Sequence, residues 1–385
     1  MIRPFYDSDL IKIITGIRRS GKSIILEQIM LEMRAKSDNI IYLNFEDRKV
    51  TSQITNCDEL IAYVENTSLP SEQAYVFLDE VQELPGWQEA CKTLRLHNCS
   101  VFITGSNSKL LSGEFTKELS GRYVSFRVRP FVYKEIQEYA SLLGKEVSVT
   151  DYLIWGGFPK RFEFNTVEDQ ERYLNDLDDT IILNDLVQRY NIRKVRLFRK
   201  LVNYILRNNA RIFSAASVNN YLKHELESCS INTIIKYLDY LQEAYIIDSV
   251  KLYSPKVKKE LSYYAKLYNG DVAFNSLRAL NNRYDLTHNL ENIVYNELVY
   301  MGYDIYVYDN AGKEIDFLCT KNGKQYYVQV AYSVAEDKTY EREFNAFKNL
   351  DNLSQKIIIT NDELDYSTSN VKHIKLKDFL LMQEL

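Results

Sequence analysis

The chain has 385 residues, 45% of them apolar and 26% charged, with a formal net charge of −5. Those values exclude a disordered chain, a collagen-like repeat and a disulfide-stapled miniprotein, and the length predicts two or three domains. The unusual count is 30 Tyr against 17 Phe and 2 Trp, and half-buried strand and core positions are its expected home.

The first residues, Met1–Asp7, lack the apolar stretch of a signal peptide. No apolar run along the chain approaches the ~18–20 residues that span a bilayer, so a cytoplasmic protein is expected. Ile11–Thr15 is a short apolar strand leading into Gly16-Ile17-Arg18-Arg19-Ser20-Gly21-Lys22-Ser23, after which Ile24, Ile25, Gln28 and Ile29 follow a helical pattern. This is G-x-x-x-x-G-K-[ST] in the strand–loop–helix context it requires. Backbone N–H groups from Gly16 to Ile24 are expected to wrap nucleotide phosphates, aided by the helix dipole. Lys22 is expected to reach the β- and γ-phosphates and Ser23 to ligate Mg²⁺.

Ile40–Asn44 reads as a second strand and Ala74–Leu78 as a third, the latter ending in Asp79-Glu80, 57 residues after Lys22. An acid at the carboxyl end of a parallel strand is the Walker B pattern: Asp79 would hold Mg²⁺ through water and Glu80 would polarise the attacking water. Val101–Thr104 is a fourth strand, and Ser106 or Asn107 at its end is placed to sense the γ-phosphate. Gly121-Arg122 introduces a fifth strand, Tyr123–Val128, where Arg122 is a candidate arginine finger, in cis or in trans. ATP and Mg²⁺ are the implied cofactors, and helices between the strands make the crossovers of a parallel sheet.

The run Ile14–Ser23, with Leu78-Asp79-Glu80-Val81-Gln82, Thr104–Leu111 and Gly121-Arg122-Tyr123, resembles a prokaryotic AAA-type ATPase family. That family joins an AAA_14-like ATPase domain to a DUF4143-type C-terminal region. The resemblance extends through Gly156-Gly157-Phe158-Pro159 to the C-terminal block.

Between Leu186 and Lys266 stand 15 Lys/Arg and 6 Asp/Glu, a segment of +9 in a chain whose remainder is −14. A basic block on an acidic chain suggests a module facing a polyanion or a partner. Ser228–Leu241 reads as a helix with the apolar stripe Ile231, Ile234, Ile235, Leu238 and Leu241, and Ser230 as N-cap. Ala244–Val250 and Leu261–Tyr268 read as strands flanking a tip of Lys256, Lys258 and Lys259. The outline is a winged helix, presenting Asn232, Thr233, Lys236 and Tyr237 to a groove. DNA and a protein surface both remain open as its partner. Tyr237, Tyr240, Tyr263 and Tyr264 are the tyrosines that coincide with the positive charge.

A helix over Leu290–Leu298 and strands near Ile305–Tyr308, Glu314–Leu318 and Tyr326–Ala331 resemble a PD-(D/E)xK nuclease core, in which Glu291 and Asp316 match. Gln329 and Ala331 stand where that core has an acid and a lysine. A neutral amide binds a hard divalent metal poorly and alanine brings no charge, so little or no nuclease activity is expected unless a lysine such as Lys324 has migrated. Five cysteines without a C-x-x-C pair, beside 4 His, show neither a zinc spacing nor a disulfide framework.

The expected fold class is therefore α/β. A P-loop AAA-type ATPase domain (1–140) precedes a helical linker and winged-helix-like α+β domain (141–280) and a restriction-endonuclease-like α/β domain (281–385). The expected function is Mg-dependent ATP hydrolysis coupled to a DNA- or protein-contacting effector region, with homo-oligomers allowed. The alternatives are a nucleotide-gated binding module with incidental hydrolysis and an active metal-dependent DNA nuclease.

Overall fold

Strand β1 (Ile11–Gly16) is buried at all six positions, the mark of a central strand covered on both faces. It pairs in parallel with β4 (Cys99–Gly105) on one side and β5 (Tyr123–Val128) on the other. Beyond β4 lie β3 (Ala74–Asp79) and then β2 (Ile40–Asn44), so the sheet order is β2-β3-β4-β1-β5, every pair parallel. All five expected strands form. Helix α1 (Lys22–Arg34) covers one face, where Leu26, Ile29 and Met33 meet Phe77 and Phe102. The helices Cys57–Thr67 and Trp87–Leu96 cover the other through Leu60, Val64, Ala90 and Leu94. Each fully buried Ile, Leu or Phe here contributes about 1.5–3 kcal/mol.

The computed structural model describes residues 2–70, 72–111, 119, 121–224, 229–253, 265–310, 312–350 and 353–385. Two compact units result, one of Met1–Arg129 with Glu243–Tyr245 and one of Pro130–Gln242 with Ile246–Leu385. The first unit carries the parallel sheet and ends its main run at Arg129. One sheet carries strands from both sides of position 280.

That sheet has eight strands: β6 (Arg211–Phe213), β7 (Ile247–Tyr253), β8 (Ala265–Asn269), β9 (Asp304–Asn310), β10 (Lys313–Lys321), β11 (Lys324–Ala331), β12 (Gln355–Thr360) and β13 (Lys372–Lys375). Their order is β13-β12-β11-β10-β9-β7-β8-β6. β8 lies antiparallel between β6 and β7, and β7 joins β9 in parallel through Leu252 and Tyr253. Asn322 and Gly323, both with positive φ, make the tight turn from β10 to β11. The helix Ile231–Glu243 forms as expected, with the Ser230 hydroxyl accepting the Thr233 N–H at 3.1 Å. The tip holding Lys256, Lys258, Lys259, Tyr263 and Tyr264 lies outside the described residues.

Gly156-Gly157 is the hub of the second unit. Gly156 has φ +67° and ψ −157°, a region essentially reserved for glycine. A Cβ there would fall 1.7 Å from Asp271 Oδ1. Asp271 is buried and accepts the N–H groups of Gly157 and Ala273 at 2.7 and 2.8 Å. Buried Arg161 donates to the Gly156 carbonyl and to Asp151. The motif is a backbone crossing, too crowded for side chains.

Candidate functional site

The loop after β1 is built around two glycines. Gly16 has φ +149°, and a Cβ on it would stand 2.1 Å from the Val128 carbonyl oxygen of β5. Gly21 has φ +102° and hands the chain to α1, whose first residue is Lys22. Arg19 is also left-handed at φ 66°. Such residues turn successive N–H groups toward one side, which makes an anion nest at a helix N-terminus. Lys22 is 4% exposed; its ammonium donates to the Ile17 carbonyl at 3.3 Å and lies 3.6 Å from Glu80 Oε1. Arg18 pairs with Glu46 at 3.2 Å. Ser23 is half-buried on the first turn of α1, while Ile24 points outward.

Asp79 and Glu80 sit at the carboxyl end of β3, both buried. One Asp79 oxygen accepts the Thr104 hydroxyl and the other accepts the Tyr42 hydroxyl at 3.3 Å. Burial and the adjacent Asp79 carboxylate push the Tyr42 phenol up to about 12. Thr104 Oγ1 also accepts the Glu80 N–H at 2.9 Å. Glu80 has a left-handed backbone (φ 49°), and its Oε2 accepts the Gln82 amide at 2.6 Å. Ser106 and Asn107 follow β4, 2% and 3% exposed, in the strand between the β1 loop and the Asp79 strand.

Lys22, Asp79, Glu80 and Asn107 therefore share one edge of the sheet, the edge where parallel-sheet proteins bind ligands. Arg122 does not join them. It precedes β5 at the opposite strand end, with Tyr123 aligned on Ile11 and Val128 on Gly16, and six residues of strand put it about 20 Å from the loop. Its side chain is exposed. Sequence reasoning missed Thr104, whose role follows from the register of β3 against β4, and Gln82, which bonds Glu80 from two residues away. Two hydroxyls beside the loop, Thr15 Oγ1 and Ser20 Oγ, are buried without a hydrogen-bond partner among the described residues. Orphaned buried donors at a nest and a lysine-headed helix fit a bound phosphate, and the Asp79–Ser23 side of the site offers oxygen ligands of the kind Mg²⁺ takes.

The second unit holds another charged group. Lys266 on β8 is 95% enclosed by relative exposure, and its ammonium lies 2.6 Å from Glu291, 2.7 Å from Glu314 and 3.0 Å from Asp316. The three carboxylates hold Lys266 protonated, well above the usual lysine range. Burial and Asp316 push the Glu291 carboxyl upward. Tyr268 donates to Glu291 at 2.7 Å, and Asp316 accepts the Val330 N–H at 2.9 Å. A register shift between Ile315 and Leu318 places a bulge in β10 beside Asp316. The pocket over these residues has a volume of about 380 Å³ and also includes Arg211, Gln329, Arg342 and Glu343.

Glu291 and Asp316 are thus brought together as expected, and Gln329 bridges the Asp316 N–H to Glu343. Lys324 is not the migrated lysine: it opposes Lys321 at the hairpin end of β11, five residues from Gln329. Lys266 is the lysine that stands beside Asp316, from a strand 50 residues upstream. Tyr237 and Tyr240 are half-buried, each with a ring neighbour. Tyr237 packs edge-on against Phe198 and Tyr240 stacks on Tyr190 at 3.6 Å. Among the described residues no helix is long and apolar enough to cross a membrane, and all five cysteines are free thiols.

Family models match residues 8–137 as an AAA domain and residues 146–283 and 287–379 as two domains of unknown function, DUF8612 and DUF4143. A protein of Haemophilus influenzae is 33% identical over 390 residues, spanning 98% of this chain and 96% of the relative. One from Methanocaldococcus jannaschii is 31% identical over 382 residues, spanning 92% and 82%. Both bear the name uncharacterized protein. Among solved structures, a Walker-type ATPase of Pyrococcus abyssi aligns with a TM-score of 0.48 and 16% identity over 72% of this chain and 93% of its own.

Proposed function

The chain belongs to the family that places an AAA domain ahead of a DUF4143 domain, and from that premise we propose that it hydrolyses Mg²⁺–ATP to drive or switch its second unit. The observation that carries this reading is the meeting of Lys22, Asp79 and Glu80 at one sheet edge, with Lys22 3.6 Å from Glu80. A passive nucleotide binder has no need of an acid in that place. Residues Gly16 to Ile24 would cradle the phosphates, with Ser23 and Asp79 holding Mg²⁺, which neutralises charge on the β- and γ-phosphates. Glu80 orients the attacking water and takes its proton, Lys22 steadies the transferred phosphoryl oxygens, and Asn107 contacts the γ-phosphate. Arg122, about 20 Å from its own loop, serves the nucleotide of a neighbouring subunit.

For the second unit we propose a winged-helix-like element fused to a nuclease-like core that contacts DNA without cutting it. The order helix Val195–Arg207, β6, helices Ala215–His224 and Ile231–Glu243, β7, β8 supports the first part. Gln329 in place of an acid supports the second, since Lys266 restores a cation to the pocket but no metal-binding oxygen charge. ATP binding by fluorescent-analogue titration tests the ATPase reading: Lys22→Ala loses it, and equal binding by wild type and Lys22→Ala refutes the loop assignment. Incubation with DNA and Mn²⁺ tests the core. Intact DNA is expected, and cleavage that disappears in Asp316→Ala contradicts a non-cutting core.

A further inference from the structure

The +9 segment does not spread its charge over the helix Ile231–Glu243, where a winged helix would read a groove. It concentrates on the helix Val195–Arg207 and the turn after it. There a cavity of about 860 Å³ opens, walled by Lys200, Arg207, Arg211, Arg278 and Arg283 against one acid, Asp285. Arg278 is fixed as part of the floor: it pairs with Asp178 at 2.9 Å and donates to the Phe274 carbonyl and Asn203. Asp285 is occupied as the N-cap of the helix Leu286–Tyr300, by His288 at 2.8 Å and by Arg211 at 3.8 Å. Arg207 and Arg283, both exposed, have no ion pair among the described residues. Crowding like charges around a concavity costs free energy unless a polyanion sits there and releases its counterions.

Two further features select the kind of polyanion. Tyr221, 43% exposed, packs at a tilt of 37° against Tyr204 on the cavity wall, ring centroids 4.7 Å apart, and so presents an exposed aromatic ring there. Arg211 lines both this cavity and the carboxylate pocket of Lys266, Glu291 and Asp316, so its side chain stands between the two. A cationic trough with an aromatic platform is what tracks an unpaired strand. A concave site of this size takes a few nucleotides, whereas a duplex meets only its rim.

We infer that this cavity holds the phosphodiester backbone of single-stranded nucleic acid, with a base on Tyr221 and the strand running past Arg211 toward the Lys266 pocket. The inference rests on the reading of the second unit as a nucleic-acid-contacting one, and it moves the contact from the helix Ile231–Glu243 to the helix Val195–Arg207.

The test is fluorescence anisotropy of a labelled 12-nucleotide dT strand with the full chain and no nucleotide, at 50 and 200 mM KCl. The strand binds at least tenfold tighter than a 12-base-pair duplex. Phosphate contacts by Arg207 and Arg283, at roughly 0.7 counterions each, give a log–log salt slope of about −1.4. Arg207→Ala/Arg283→Ala weakens binding at least tenfold and flattens the slope, Tyr221→Ala weakens it without changing the slope, and Lys236→Ala leaves it intact. Unchanged thermal melting of the double variant establishes that it folds. Loss of binding in Lys236→Ala but not in the double variant overturns the assignment in favour of the helix Ile231–Glu243. Equal displacement of the strand by triphosphate, mole for mole of phosphate, overturns it in favour of a small-phosphate site. Strand binding retained by Lys22→Ala separates the cavity from the ATPase site: a chain that binds the strand but does not turn over ATP refutes only the ATPase reading.

Discussion

Thr104 sets the geometry of the acidic pair. Its hydroxyl donates to Asp79 and accepts from the Glu80 N–H, so one side chain on β4 fixes both acids of β3. Valine has the same shape and neither bond. Thr104→Val should lower kcat for ATP at least tenfold while ATP affinity stays within a few-fold, because the phosphate loop is untouched and only the orientation of the acids is lost. Steady-state hydrolysis and equilibrium binding separate the two, and an unchanged kcat would show that Asp79 and Glu80 are held by other means. Lys22, Asp79 and Glu80 were legible in the sequence because each belongs to a contiguous motif with a fixed offset. Thr104 was not, because its role depends on which strand lies beside β3. Lys266 was hidden for the same reason: it reaches Asp316 from 50 positions away along the chain.

At the scale of elements, the parallel sheet was readable as five apolar runs, each ending in polar or glycine residues at the same edge. The helix Ile231–Glu243 was readable from its stripe and its cap. What the pattern left open was neighbourhood. The tyrosines of that helix pack on Phe198 and Tyr190, neighbours no local pattern names. Gly156 is the element-level feature most open to test. With φ +67° and Asp271 where a Cβ would go, Gly156→Ala must either expel the Asp271 carboxylate or break the turn. A loss of about 2–4 kcal/mol in the stability of the second unit is expected, read by chemical denaturation. A loss below about 0.5 kcal/mol would mean that the crossing relaxes freely.

Over the whole molecule, three family models follow one another along the chain, yet the structure packs the spans of the last two around one eight-stranded sheet. Strand pairing between β7 and β9 is non-local, which no windowed pattern reveals. Buried acids give this unit a characteristic pH response. Burial pushes the Glu297 carboxyl up to about 8, with the Tyr133 N–H at 2.9 Å opposing the shift. Between the unfolded value of 4.5 and 8 the folded chain binds the extra proton, so this group makes stability fall as pH rises through that window and level off above it. Glu297→Gln keeps an acceptor for Tyr133 and removes the titration. Its melting temperature should gain on wild type from pH 5 to pH 8.5, and an equal pH slope in both proteins would place the proton elsewhere. Central to the account is that the first unit turns over ATP through Glu80. The most direct measurement is single-turnover release of the γ-phosphate by wild type and Glu80→Gln, each saturated with Mg²⁺–ATP. The predicted result is unaltered ATP affinity with release slowed roughly 10²-fold or more; equal release rates would contradict it.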